Sequence, residues 1–251
     1  MTVLIAAIVG AFVATLALTP FAMRLAEKVG AVDQPGGRRR VHVREVSRLG
    51  GLAIFFPVMA AVGVAYWTVG GGEVPLEPMQ FLGLLIASSL VFLLGLYDDI
   101  RGANAPTKFV VQILAAGILY ASGVRITEIS NPFGEALTLG VFAFPIQVLW
   151  LVGISNAMHL LDGLYGLAAG MSALGALTIM NMAAGMGLDE VALIAAALFG
   201  ALLGFLPYNF NPASIFLGDC GALFLGFFLA ALPILGSQKT ATAVALLIPI
   251  L

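Results

Sequence analysis

Eight apolar runs divide this chain, at about 3–23, 49–69, 79–97, 107–123, 142–161, 166–184, 190–207 and 221–236. A helix of about 20 such residues crosses about 30 Å of hydrocarbon. Turns rich in Gly, Pro and Asn separate the runs. Backbone amides in lipid must pair within their own segment or within a closed barrel. Barrel strands would read as short alternating segments, and none appear. The pattern therefore predicts one all-α domain over 1–251, a polytopic transmembrane helical bundle. A ninth apolar stretch, 240–251, gives only about 18 Å of helix, so it reads as a truncated crossing and the chain as a piece of a longer protein.

Composition agrees. Hydrophobic residues make up 61% of the chain and charged residues 10%, and the mean hydropathy is +1.08, which excludes an ordinary soluble domain. One cysteine, Cys220, excludes an internal disulfide and a Cys-rich zinc site. The first run has no basic leader and no A-x-A site before soluble sequence, so it does not read as an obvious cleavable signal. The net charge of -2 identifies no partner, and no nucleic acid is expected. Residues 24–48 hold Arg24, Lys28, Arg38, Arg39, Arg40, Arg44 and Arg48. The positive-inside rule makes this loop cytoplasmic and places the N-terminus outside. Alternation puts the loops at 98–106, 161–166 and 207–220 on the same side, with Arg101 and Lys108. Only Arg125 and Lys239 fall outside. The outer loop 124–141 suggests a small hairpin around Asn131-Pro132-Phe133-Gly134.

The acids then become informative. Asp98, Asp99, Asp162 and Asp219 interrupt apolar sequence, and all four land on the cytoplasmic side. Carboxylates at a membrane boundary are costly and usually functional. Four on one face suit a hard cation and its phosphate ligand. Each motif also has a plainer reading. Asp98 and Asp99, in Leu96-Tyr97-Asp98-Asp99-Ile100-Arg101-Gly102, end a helix where the macrodipole disfavours anions. They need a cation: a metal, Lys108, or Arg101 with water. Asp162, in Asn156-Ala157-Met158-His159-Leu160-Leu161-Asp162-Gly163, either serves a ligand or caps the next helix. His159 alone reads as an ordinary interfacial histidine. Asp219 opens a helix, where phosphate binds well, but an N-cap is the simpler reading. Asn209 and Asn211 offer amides, and Phe216 offers a ring for a base or for the interface. The basic loop needs no more than positive-inside charge. The Arg48-Leu49-Gly50-Gly51 junction is left over, and arginine there suits a diphosphate.

Taken in order, RRRVH…SRLGGLAIF, LGLYDDIRG…K…Q (Lys108 and Gln112), NAMHLLDGLYGLAAG and FNPASIFLGDCGALFLGF resemble the polyprenyl-phosphate N-acetylhexosamine-1-phosphate transferase family. The matches run from Asp33 to Phe227 and are closer to its GlcNAc branch than to the phospho-MurNAc-pentapeptide branch. The resemblance implies transfer of a sugar 1-phosphate from a UDP-sugar to undecaprenyl or another polyprenyl phosphate, with release of UMP. It implies Mg²⁺, or Mn²⁺, held by Asp219. Asp98 and Asp99 would bind or orient the lipid phosphate, and Asp162 would serve the nucleotide-sugar site. Lys108 and Arg48 would face phosphate oxygens. Asn156 and His159 would contact substrate, and Asn209 and Phe216 would hold uracil. The enzyme would sit in the bacterial inner membrane, multi-pass, with its site on the cytoplasmic face, and act early in envelope polysaccharide synthesis. A homodimer is the family expectation.

The chain departs from the family pattern at three positions. His159 stands at a usual Asn, Tyr165 at a usual Asp, and Ala222 at a usual Ser. The family's histidine-rich loop is absent from this sequence. A noncatalytic binding homologue is the nearest alternative. A carrier is the other, although carriers place their acids near the midplane with inverted repeats.

Overall fold

The structure, a computed structural model, describes residues 1–33, 46–69, 76–129, 136–163 and 166–236. The basic stretch 34–45, Tyr165, the tip of the outer hairpin and 240–251 lie outside the described residues. All eight expected helices form: α1 Thr2–Val29, α2 Gly50–Val69, α3 Pro78–Arg101, α4 Ala105–Ala121, α5 Ala143–Leu161, α6 Leu167–Gly185, α7 Asp189–Asn209 and α8 Gly218–Gly236. Seven are long and apolar enough to cross a membrane, and α4 is shorter at 17 residues. The chain is a polytopic all-α protein.

Local signals set the ends. Glu77 and Gln80 form a capping box at the start of α3, with Pro78 at its first position. Asn104 caps α4 by accepting from the Thr107 N–H at 2.9 Å. α1 runs six residues past its apolar stretch, through Arg24, Glu27 and Lys28, until Gly30 turns left-handed and stops it. The expected outer hairpin is present in its two flanks: β3 (Glu128–Ile129) pairs antiparallel with β4 (Leu137–Thr138). Buried Gln147 ties this end together, accepting from the Ile126 N–H and donating to the Val124 carbonyl.

Burial is uneven, and that positions the site. Only 17% of the apolar window of α1 is buried, against 72% in α7 and 89% in α8. α8 is the axial helix, packed against α2, α3, α5 and α6, while α7 joins α1, α2 and α6. Phe55, Phe92 and Phe224 bring α2, α3 and α8 together, with Phe55 and Phe92 stacked at 3.9 Å between ring centroids. Ser155 of α5 donates to the Leu223 carbonyl of α8 at 2.8 Å. The N-terminus of α8 is therefore held at the centre of one end of the bundle.

A small backbone assembly closes that end. β1 (Val32–Asp33) pairs antiparallel with β2 (Val46–Ser47), and Ser47 bridges in parallel to Ile215. Phe216 donates its N–H to the Ser47 carbonyl at 2.8 Å. Gly50 and Gly51, the first residues of α2, donate to the carbonyls of Phe216 and Leu217 at 3.0 and 2.8 Å. The start of α2 is thus capped by the strand leading into α8. This accounts for the glycine pair that the sequence reading left over: a side chain at Gly51 would run into Gly221.

Candidate active site at the N-terminus of helix α8

The four acids converge, but they divide into two pairs with different tasks. Asp99, in the last turn of α3, turns away from solvent. Its Oδ1 accepts the Asp219 N–H and its Oδ2 the Cys220 N–H, both at 2.9 Å. Asp162, just beyond α5, accepts the Gly218 N–H at 3.0 Å through Oδ2. The first turn of any helix leaves N–H groups without an intrahelical partner. Here carboxylates from two other segments satisfy three of them, and the macrodipole of α8 favours negative charge at that end. The plainer sequence reading of Asp162 is corrected by this: it caps α8, not the helix that follows it. Although part of Asp162 is exposed, its carboxyl is enclosed. Burial, then the nearby charge of Asp99, pushes that carboxyl up to about 7, opposed by the Gly218 N–H.

Asp98 and Asp219 form the second pair. The Lys108 ammonium, from the first turn of α4, lies between them, 2.6 Å from Asp219 Oδ2 and in direct contact with Asp98 Oδ2. Asp98 also accepts the Ala103 N–H through Oδ1. Its partner is therefore Lys108, not Arg101, which is exposed. Asp219 sits in the first turn of α8, but its side chain does not cap its own helix. It reaches out to Lys108 through Oδ2, while Oδ1 faces His159 Nδ1 at 3.2 Å and Arg48 Nη2 at 3.9 Å. The side chain of Asp219 is 6% exposed, against 32% for His159 and 42% for Arg48. The cluster is thus graded, with the Asp219 carboxylate inside and the imidazole and guanidinium at the mouth.

The other expected residues fall around this cluster. Asn156 lies one turn before His159 on α5. Its amide donates to the Gln112 side-chain carbonyl and to the Val152 carbonyl, both at 2.7 Å. Gln112 is one turn along α4 from Lys108, so the two residue pairs face each other across α4 and α5. Asn209 is buried, and its amide donates to the Ile215 carbonyl at 2.8 Å. It fastens the loop that carries Phe216 and is not itself at the mouth. Phe216 is half-buried beside the junction of Ser47 and Gly50.

Gly218 was not singled out from the sequence, yet the site depends on it. Its φ is +70°, and a Cβ there would strike the Arg48 carbonyl and lie 2.7 Å from Asp99 Oδ2. Only glycine meets both demands. The signal was a glycine directly before an acid at a helix start.

Among the described residues no three His, Cys, Asp or Glu side chains converge as a ready metal cage. A cation at Asp219 Oδ1 would take few protein ligands and fill its shell with phosphate and water, which is how Mg²⁺ commonly binds. The donor set fits in that sense: a buried carboxylate with one oxygen already matched by Lys108 and the other facing the mouth.

Residues 81–237 match the model of glycosyl transferase family 4. A Bacillus subtilis (strain 168) protein, "Probable undecaprenyl-phosphate N-acetylglucosaminyl 1-phosphate transferase", is 38% identical over 99% of this chain and 67% of its own length. The "Decaprenyl-phosphate N-acetylglucosaminephosphotransferase" of Mycobacterium tuberculosis (strain ATCC 25618 / H37Rv) is 38% identical over 82% of this chain and 54% of its own. The "Phospho-N-acetylmuramoyl-pentapeptide-transferase" of Halalkalibacterium halodurans is 32% identical over 94% of this chain and 76% of its own. The chain thus spans between about half and three quarters of the length of these relatives.

Proposed function

The chain belongs to glycosyl transferase family 4, and from that premise we propose that it transfers a sugar 1-phosphate, GlcNAc-1-phosphate first, from a UDP-sugar to a polyprenyl phosphate. One observation carries the reading. A lysine ammonium bridges two carboxylates, Asp98 and Asp219, at the end of an apolar bundle, with Arg48 and His159 at the mouth. Phosphoryl transfer needs mainly positioning and charge neutralisation. An oxygen of the lipid phosphate attacks the sugar-bearing phosphorus of the diphosphate. The bond from that phosphorus to the bridging oxygen breaks, and UMP leaves. A phosphate monoester is largely ionised near neutral pH, so the attack needs no strong base. Asp98 then serves to aim Lys108 at phosphate oxygens. Asp219 would hold Mg²⁺, or Mn²⁺, which when bound supplies positive charge to the diphosphate. Arg48 would take phosphate oxygens at the mouth, and Phe216 would stack on uracil. Asn209 would support that contact from behind.

Two further features support a lipid acceptor at a membrane boundary. An apolar cleft between α5, α6 and α8, lined by Trp150, Ile154, Met158, Met171 and Leu229, begins at the residue before His159 and suits an isoprenoid chain. Basic residues gather at the same end of the bundle: Arg24, Lys28, Arg48, Arg101 and Lys108. By the positive-inside rule that end is cytoplasmic in a bacterial plasma membrane, where a soluble nucleotide is available. The acids lie at helix ends and not at mid-helix, which disfavours a carrier.

The test is isotope exchange. Membranes carrying the chain are incubated with labelled UMP, UDP-GlcNAc, undecaprenyl phosphate and Mg²⁺. Label should enter UDP-GlcNAc only when both lipid and Mg²⁺ are present. Exchange without the lipid, or none with any UDP-hexosamine, overturns the reading.

A further inference from the structure

We infer that His159 is the second protein ligand, through Nδ1, of the divalent cation proposed at Asp219, and that the site therefore prefers Mn²⁺ to Mg²⁺. The inference rests on that proposed cation. The oxygens of the site are unequally committed. Asp99 gives both of its oxygens to the N–H groups of Asp219 and Cys220, and Asp162 gives one to Gly218. Asp98 and Asp219 Oδ2 share Lys108. Among the oxygens on the mouth side, Asp219 Oδ1 remains, with an imidazole nitrogen 3.2 Å away and Arg48 farther off at 3.9 Å. Two ligand atoms at right angles on one octahedral ion, with bonds of about 2.1–2.2 Å, stand about 3 Å apart. The Oδ1 to Nδ1 spacing matches that edge. An ion on this edge leaves Lys108 in place between its two carboxylates. It also sits on the exposed side of Asp219, where a diphosphate arrives. His159 is fixed at one end of α5, whose axis is anchored to α8 by Ser155, so the ring is presented by a rigid element. It would bind as the neutral tautomer with its proton on Nε2.

The consequence is selectivity. Mg²⁺ takes oxygen ligands and tolerates imidazole poorly, whereas Mn²⁺ and later divalent ions accept it. Mn²⁺ should bind at least tenfold more tightly than Mg²⁺, and His159→Asn should narrow that ratio.

The experiment uses the full chain in detergent, with ¹⁵N-labelled histidine, Mn²⁺ as the probe and saturating UDP. Pulsed EPR should show the coupling of a directly bound ¹⁵N, lost in His159→Asn, and Mn²⁺ affinity in that variant should fall at least tenfold. Asp219→Asn separates the two layers of the argument. If it abolishes Mn²⁺ binding while wild type shows no directly bound ¹⁵N, the histidine assignment is wrong and the cation at Asp219 stands. If Mn²⁺ binds Asp219→Asn as it binds wild type, the cation assignment fails and this inference fails with it.

Discussion

Asp99 offers the sharpest test of the division among the acids. If it anchors α8 and does not touch substrate, its loss should first appear as local opening. Its two contacts are charged hydrogen bonds of 2.9 Å to N–H groups with no intrahelical partner. Hydrogen bonds to a charged group contribute about 1.5–3 kcal/mol each, and an orphaned buried N–H costs about 1–3 kcal/mol. Asp99→Leu removes both and should cost about 3–6 kcal/mol. Asp99→Asn keeps one acceptor and should cost about half of that. A domain of this size loses about 2–4 °C of melting temperature per kcal/mol, so the Asn variant should melt about 3–12 °C low.

The chain carries its own reporter. Cys220 is its one cysteine, is fully buried, and owns one of the two N–H groups that Asp99 holds. A fluorogenic maleimide added during a thermal ramp in detergent therefore reads the opening of the first turn of α8. The order of labelling temperatures should be wild type, then Asn, then Leu. The reasoning is refuted if both variants label at the wild-type temperature but have lost turnover. Asp99 would then be acting on substrate.

Three other outcomes follow from the same geometry. Asp219→Asn should reduce Mg²⁺-dependent exchange at least 100-fold while the protein still inserts and melts as a folded species; wild-type exchange would remove the metal assignment. Gly218→Ala should lower the accumulation of folded protein, measured by size-exclusion profile, because a Cβ at φ +70° meets the Arg48 carbonyl and the left-handed conformation alone costs about 1–2 kcal/mol; a normal profile would refute the crowding. Asp162, with a folded pKa pushed up by burial to about 7 from an ordinary carboxyl value of 3.8, binds more protons folded than unfolded between those values. Its contribution to stability is full at low pH and is lost as pH rises from about 4 to about 7. In EDTA, intrinsic fluorescence of Trp67 and Trp150 should show melting temperatures falling across that range, and Asp162→Asn should flatten the fall; an unchanged slope would refute it.

Much of this was legible in the chain because helix existence in a membrane protein depends on local composition. The apolar runs marked all eight helices, and the four acids were placed on one side by counting crossings. What was not legible is where each carboxylate points. Asp99 and Asp162 look like their neighbours in sequence, and a cap supplied by another helix leaves no local signature. Asp219 carried the local signature of an N-cap and does not act as one, because Asp99 and Asp162 let the helix begin ahead of it, at Gly218, and its own carboxylate is drawn out to Lys108. The boundary of α8 moved for the same reason: the helix starts at Gly218, three residues before its apolar run, where outside carboxylates supply the missing acceptors. Asn209 read as a ligand amide, and its burial against Ile215 could only come from the closed loop.

The glycines show why such sites survive on so little local information. A side chain at Gly95 of α3 would run into the backbone of Asp219 and Cys220, just as one at Gly51 of α2 would run into Gly221. Two helices therefore approach the first turn of α8 at backbone distance, and that turn carries Asp219. Close packing removes the freedom of this turn to shift, since any movement meets main chain and not a flexible side chain. Lys108, His159 and Arg48 each reach Asp219 from a different segment, so their mutual geometry is only as good as the fixed point they share. Placing that point on the most buried helix, capped from outside by two acids, lets residues scattered from 48 to 219 in sequence meet around one carboxylate, none farther from it than the 3.9 Å of Arg48, at a membrane boundary.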